Sequence, residues 1–416
     1  MSQFVIEGKQ RLGGKLRING AKNSALKLMV AALLGQGDFR IDDVPHITDV
    51  FTMCGVLEAL GVRTHLEVNQ LHLHVSSLQG RAPKELAKSM RASVQVMGPL
   101  LAKLGWVEVA KPGGCAIGTR SLDLHLSGLA QMGAQIELRD ELFVARAKKL
   151  QGADISFRYP SVGATENIMM AAVLAHGETI IRNAAQEPEI VDIQEFLNSM
   201  GAQIKGAGTP VIRIKGVPEL GATNFRVIPD RIEAGTYLIA LLITGGQGTL
   251  ENVIPGHITA LLDVLRGMGA IIDVQDSTLT ILSPAMLETF QVSTNPYPGF
   301  PTDLQPQLVA LATQARGVSI LTEGVFDQRF GYISELSKLG TKIEVLGDNS
   351  VAVQGPVRLV GSQMSSGDLR AGAALVLAAL GAQGKTVIKG IEHIDRGYEA
   401  MEERLSQLGA KISRLP

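Results

Sequence analysis

Two kinds of apolar pattern alternate along the chain, and the alternation recurs. The segments SALKLMVAALL, ASVQVMGPLLAKLG, ATENIMMAAVLAHG, AGTYLIALLITGG, LQPQLVALATQARG and RAGAALVLAALG are apolar on nearly every side. That predicts helices buried between other elements rather than laid on a surface. Downstream of each lies a second helical pattern that ends in an apolar residue and Gly and passes into a strand-like run: LEALGVRTH, LAQMGAQIEL, LNSMGAQIK, LRGMGAIIDV, LSKLGTKIEV and LSQLGAKIS. The glycines are Gly61, Gly133, Gly201, Gly269, Gly340 and Gly409, spaced 68 to 72 residues apart. A fixed period of this kind marks a repeated supersecondary unit. Gly at that place fits the left-handed residue that closes a helix, a conformation without a Cβ clash for glycine.

Alternation such as Leu71-His72-Leu73-His74-Val75 predicts half-exposed strands. Each unit therefore reads as buried helix, strand, outer helix, strand, strand, and the chain as an α/β fold of six βαβαββ-like repeats. Six repeats divide into three and three, with the joint expected near Pro229 and Asp230.

Composition narrows the function classes. The 416 residues, 45% apolar, suffice for two or three domain cores. The 39 basic and 40 acidic residues nearly cancel, so the bulk field that non-specific nucleic-acid or membrane binding needs is missing, and any anion must be bound locally. The start MSQFVIEGKQ lacks the basic-then-apolar run of a secretory leader and no apolar stretch is long enough for a bilayer, so a cytoplasmic location is expected. Two cysteines, Cys54 and Cys115, leave no disulfide framework and no cysteine-only zinc site. No metal constellation stands out among the eight His, and neither a phosphate-loop motif nor GxGxxG is present, so no metal, ATP or NAD cofactor is expected.

Candidate chemistry collects where the buried helices begin: Lys22 and Asn23; Arg91; Ser161-Val162-Gly163; Asp230 and Arg231; Asp303; Asp368 with Arg370. Asp, Asn or Ser at such a place reads first as a helix cap. Lys22, Arg91 and Arg370 oppose the positive end of the helix dipole, which predicts an anion held beside them. In KPGGCAIGTRSLDLHL, Pro112-Gly113-Gly114 reads as a loop that sets Cys115 near solvent, with Arg120 as a cation for a reactive thiol. Cys54, on the face of an outer helix, reads as a small buried apolar residue.

These residues resemble the enolpyruvyl transferases over nearly the whole chain, through NGAKNSAL at Asn19 to Leu26, MRAS at Met90 to Ser93, PGGCAIG at Pro112 to Gly118 and SVGAT at Ser161 to Thr165. The likeness continues in EPEIVD at Glu187 to Asp192, PDRIEAGT at Pro229 to Thr236, FPTDLQ at Phe300 to Gln305, DLRA at Asp368 to Ala371 and HIDRGYE at His393 to Glu399.

The resemblance implies a two-lobed inside-out α/β barrel: a lobe of residues 22–229 carrying the Cys loop, and a second made of 1–21 with 230–416. It implies transfer of the enolpyruvyl group of phosphoenolpyruvate to the 3-hydroxyl of UDP-N-acetylglucosamine, releasing phosphate without a metal, as the first committed step of peptidoglycan synthesis. Cys115 is then the acid that protonates C3 and the thiol that fosfomycin alkylates. Asp303 contacts the attacking hydroxyl, and Lys22, Arg120 and Arg396 are the cations around phosphoenolpyruvate, with Arg329 and Arg370 close by. Asn23 binds the sugar. Arg91, the run Arg120-Ser121-Leu122-Asp123-Leu124, Ser161, Val162, Gly163 and the backbone of Val325 hold the nucleotide sugar. These positions fall in both lobes, so the nucleotide sugar is expected to close them. Two departures stand out: Ser121 where many members have Pro, and Gln95, where some have Trp, a position expected only to pack.

Two rival readings remain at this point. The sister enzyme with shikimate 3-phosphate as acceptor shares fold and donor, but the PGGC loop and HIDRGYE argue against it. A six-repeat ring or clamp that encircles nucleic acid is argued against by the net charge of −1.

Overall fold

The computed structural model describes residues 2–81, 91–110 and 122–416, with only the backbone of 91–93. The described residues divide into two compact units, one of 2–19 with 229–416 and one of 20–228.

Each unit is built on three apolar helices. In residues 20–228 these are α1 (Lys22–Ala31), α2 (Met97–Leu104) and α3 (Val162–Ala172); in the other unit they are α4 (Arg231–Ile243), α5 (Gln305–Ala312) and α6 (Leu369–Gly381). Their Ala, Leu, Ile and Gly content explains why they can be enclosed on every side. All 13 residues of α6 are buried, as are all of α5 and all of α4 after Arg231. In the second of these units α4, α5 and α6 pack on one another; in the first, α2 packs on α3 and on the Ala32–Leu34 turn that continues α1.

Three sheets surround each helix trio. In the unit of 2–19 and 229–416 all three have four strands, and each adds one parallel strand to an antiparallel set. In the other unit two sheets have four strands and the third shows three among the described residues. The parallel strand comes from the neighbouring repeat, so repeats are stitched sheet to sheet. Asn224–Arg226, at the end of the third repeat, pairs in parallel with Gly37–Asp42 of the first, in the register Phe225 to Ile41, and closes that unit on itself. In the other unit the N-terminus does the closing. Gln3–Glu7 pairs antiparallel with both Lys385–Lys389 and Lys411–Leu415, and Gly13–Arg17 pairs in parallel with Gln247–Glu251.

The repeat glycines behave as their spacing predicts. Gly61, Gly133, Gly201, Gly269, Gly340 and Gly409 all have φ between 84° and 107°, each just after an outer helix. Cys54 is buried in such a helix, Thr48–Ala59, and burial pushes its thiol up to about 11, which keeps it protonated and inert. Among the described residues no helix is long and apolar enough to cross a membrane, and no group of His, Cys, Asp or Glu is arranged to hold a metal ion.

Candidate active site

The six helix starts occupy equivalent places, yet they are used in different ways. Three carry caps, as the sequence reading expects. Asp230 Oδ1 accepts from the Ile232 and Glu233 amides at 2.8 and 2.9 Å, Asp368 Oδ1 from the Arg370 and Ala371 amides at 2.8 and 2.9 Å, and Ser161 Oγ from the Ala164 amide at 3.3 Å. Asp303 is not a cap. It lies in the turn Thr302–Leu304 before α5 and makes no side-chain capping bond to the helix.

Its carboxylate instead bridges two buried guanidinium groups. Arg329 Nη2 donates to Asp303 Oδ1 at 2.9 Å, and Arg370 donates to Oδ2 from Nη2 at 3.2 Å and Nε at 3.3 Å. The arginines are 5% and 4% exposed, whereas the Asp303 side chain keeps 26% of its surface. Each arginine is fixed from behind. Arg329 Nη1 donates to Thr302 Oγ1, whose hydroxyl donates to Glu323 Oε2 at 2.9 Å; Glu323 also accepts from Thr294 and from the Val325 and Phe326 amides. Arg370 Nη1 donates to the Tyr398 hydroxyl at 3.3 Å, which also meets Thr236 Oγ1 at 2.8 Å and Gln307 Nε2 at 3.3 Å. Burial works against the Arg370 charge, but Asp303, Tyr398 and Asp230 together more than offset it and the guanidinium is raised further. Arg396 sits half-buried in the turn that leads to Tyr398.

In the unit of 20–228, Lys22 opens α1 and is 9% exposed, with Nζ 2.8 Å from Asp49 Oδ2. Lys22 and Arg370 thus each meet a carboxylate of the chain itself, Asp49 and Asp303. One turn on, Lys27 Nζ stands 2.7 Å from Glu166 Oε2 in α3. Asn23, between them, is half-buried.

The predicted nucleotide-sugar residues of this unit come together at two helix starts. Leu122 lies just before the helix Asp123–Gln131, Asp123 and Leu124 open it, and Asp123 Oδ2 pairs with Arg158 Nη2 at 2.6 Å. His125 of that helix packs on Gly163, where a Cβ would lie 3.2 Å from its ring, and meets Asn167 of α3 at 3.0 Å. Ser161, Val162 and Gly163 are half-buried and reachable from solvent. Cys115, Arg120, Ser121 and the Arg91 side chain lie outside the described residues.

The sequence reading missed Gln95, which it took as packing alone. Gln95 is buried and its amide donates to the Gly163 carbonyl at 3.0 Å and to Glu166 Oε2 at 3.1 Å. The available signal was a lone amide in an otherwise apolar run, Val94 to Leu101. The acids Glu233, Asp192 and Glu166 were missed as well; burial raises each to about 7.

Comparison with known proteins adds independent findings. The family described as EPSP synthase (3-phosphoshikimate 1-carboxyvinyltransferase) matches residues 6–405. UDP-N-acetylglucosamine 1-carboxyvinyltransferase 2 of Carboxydothermus hydrogenoformans is 51% identical over all of both chains, and the UDP-N-acetylglucosamine 1-carboxyvinyltransferase of Halothermothrix orenii 45% identical over all of both. Among solved structures, the enolpyruvyl transferase NikO of Streptomyces tendae superposes with a TM-score of 0.90 at 26% identity, covering 100% of this chain and 99% of its own. EPSP synthase of Acinetobacter baumannii superposes at 0.77 with 18% identity over the whole of both chains, a likeness of fold alone.

Proposed function

The chain belongs to the enolpyruvyl transferase family, and from that premise we propose that it transfers the enolpyruvyl group of phosphoenolpyruvate to the 3-hydroxyl of UDP-N-acetylglucosamine. The single observation that carries the choice of acceptor is the contrast in identity. Full-length relatives named for UDP-N-acetylglucosamine stand at 45% and 51%, while an EPSP synthase with the same fold stands at 18%. In bacteria this reaction commits the sugar nucleotide to peptidoglycan.

The chemistry is an addition followed by an elimination. The acceptor hydroxyl attacks C2 of the enol while a proton reaches C3, and the tetrahedral adduct then loses phosphate as C3 gives up a proton. The first step needs an acid, a group that takes or orients the hydroxyl proton, and fixed cations for carboxylate and phosphate. Cys115 serves as the acid. Asp303 meets the hydroxyl, and it suits an orienting role because two buried arginines fix both of its oxygens while its side chain keeps 26% of its surface exposed. Lys22, Arg120 and Arg396 hold the phosphoenolpyruvate, assisted by Arg329 and Arg370; Asn23 steadies the sugar and the adduct.

The nucleotide half of the acceptor is held by Arg91, by the chain from Arg120 through Ser121, Leu122 and Asp123 to Leu124, and by the start of α3 at Ser161, Val162 and Gly163. Val325 contributes through its carbonyl, since its amide is committed to Glu323. A helix start with open backbone amides suits a diphosphate.

Phosphate release from phosphoenolpyruvate, measured with each candidate acceptor, tests the proposal. Release that depends on UDP-N-acetylglucosamine is expected. Release that depends on shikimate 3-phosphate instead overturns it.

A further inference from the structure

Gln95, in the turn Arg91–Val96, and Glu166, in α3, are 3% and 0% exposed. The Gln95 amide nitrogen serves Gly163 and Glu166 Oε2, and Lys27 also meets Oε2. One oxygen on each side chain is left over: Gln95 Oε1 and Glu166 Oε1 are both buried and neither has a hydrogen-bond partner among the described residues. An ionised carboxylate cannot resolve this, because two acceptors cannot bond each other. A protonated one can. When the amide N–H on the same side as the amide oxygen is bonded to one oxygen of a coplanar carboxyl group, the amide oxygen faces the other, and a single proton there closes a ring of two hydrogen bonds.

We propose that Glu166 is held as the neutral acid, with its proton on Oε1 donated to Gln95 Oε1, and that this acid–amide pair positions the Gly163 carbonyl at the start of α3. The positioning half rests on the reading of Ser161 to Gly163 as part of the nucleotide-sugar site; the pairing half does not.

Independent features agree. An unpartnered buried polar atom costs more than a made hydrogen bond contributes, so two such atoms on side chains already joined by a hydrogen bond call for a common solution. Burial pushes the Glu166 acid up to about 7; Lys27 pulls the other way, and the charges of Glu189 and Glu187 add to the rise. A hydrogen bond donated by the neutral form favours that form further. Packing at Gly163 leaves no slack, since a Cβ there would stand 3.1 Å from Gln95 Nε2 and 3.2 Å from the His125 ring. The Gln95 amide reaches the helix start through its bond to the Gly163 carbonyl.

Infrared difference spectroscopy on the full chain reads the proton. A protonated-carboxyl stretch near neutral pH is expected in the wild type, absent in Glu166→Gln and moved to higher frequency in Gln95→Met, which removes the acceptor. No such band in the wild type, or a band that Gln95→Met leaves in place, overturns the pairing. Thermal unfolding gives a second reading: with Glu166 already neutral, Glu166→Gln shifts Tm by no more than about 2 °C, whereas loss of a buried ion pair would lower it by roughly 6 °C or more. That larger drop overturns the neutral acid.

Kinetics with UDP-N-acetylglucosamine test the positioning. Gln95→Met is expected to raise the KM for the nucleotide sugar about fivefold, the worth of one buried hydrogen bond, with kcat less affected. Glu166→Gln, whose amide can donate to Gln95 Oε1 in the same ring, restores the pair and stays within about twofold of the wild type. A band in place with the KM of Gln95→Met unchanged overturns the positioning role. A chain that does not use UDP-N-acetylglucosamine at all overturns the acceptor reading, and the infrared result still decides the pairing.

Discussion

Replacing Asp303 by Ala removes one carboxylate and strands two cations. Arg329 and Arg370 are 5% and 4% exposed, and Asp303 is the anion that both meet, at 2.9 and 3.2 Å. Taking away one partner of a buried pair typically costs about 3–5 kcal/mol, because the remaining charge stays out of water. Here the low end applies, since the Asp303 side chain is 26% exposed and water can enter its place. A cost of ~3 kcal/mol in a unit of this size corresponds to a fall in Tm of roughly 6–12 °C. Calorimetry should show that fall, and adding Arg370→Met to Asp303→Ala should recover part of it, because contacting residues are not additive. Turnover should drop about 10²- to 10⁴-fold, the usual range for a group that handles a proton, while nucleotide-sugar affinity changes little. A variant with Tm within about 2 °C of the wild type and undiminished turnover would refute both the buried-clamp energetics and the role given to Asp303.

The remaining predictions address thiols and protons. Cys115→Asp, which keeps a transferable proton, should retain substantial turnover and lose sensitivity to fosfomycin, whereas Cys115→Ala should be much poorer; normal turnover by Cys115→Ala removes the thiol from the acid step. Because burial holds the Cys54 thiol at about 11, alkylation near neutral pH should follow Cys115 alone, so Cys54→Ala should leave the labelling rate unchanged. Burial raises Asp192 from 3.8 and Glu233 from 4.5 to about 7. The folded chain then keeps protons that the unfolded chain releases, so their contribution is fully present below the unfolded values and is lost as pH rises through 7. Urea unfolding should show stability falling from mildly acidic to neutral pH, by at most ~1.4 kcal/mol per pH unit for each group. Asp192→Asn should flatten the slope, and an identical slope in that variant would remove Asp192 as a source.

What could be read from the sequence divides along a physical line. The repeat was legible because its signals are local: a left-handed Gly after each outer helix and an apolar helix with no polar face. Long-range pairing was not. Nothing in QFVIE or GGKLR says that these strands complete sheets with Lys385–Lys389 and Gln247–Glu251, residues hundreds of positions away. The same holds for charges. Lys22 and Arg370 stand out at helix starts in the sequence, but whether a ligand or a carboxylate such as Asp49 or Asp303 meets them depends on contacts that no spacing encodes. Gln95 shows the converse failure, since it is a single amide in an apolar run, although one of its partners, Gly163, lies in the SVGAT motif and the other, Glu166, follows directly after it.

The helix starts also show how a repeat can acquire a site. Equivalent positions inherit the same need, which is to satisfy the first backbone amides of a buried helix. At α4 and α6 an aspartate does this through two bonds each, and those carboxylates are committed to the backbone. At α5 the second residue is Pro306, which has no amide hydrogen and a backbone angle already suited to a helix start. One donor fewer needs a cap there, and the turn Thr302–Leu304 precedes the helix instead of a capping side chain. Asp303 makes no such cap, unlike its counterparts Asp230 and Asp368, and its oxygens meet Arg329 and Arg370. The carboxylate proposed to meet the acceptor hydroxyl is the one that does not cap its helix.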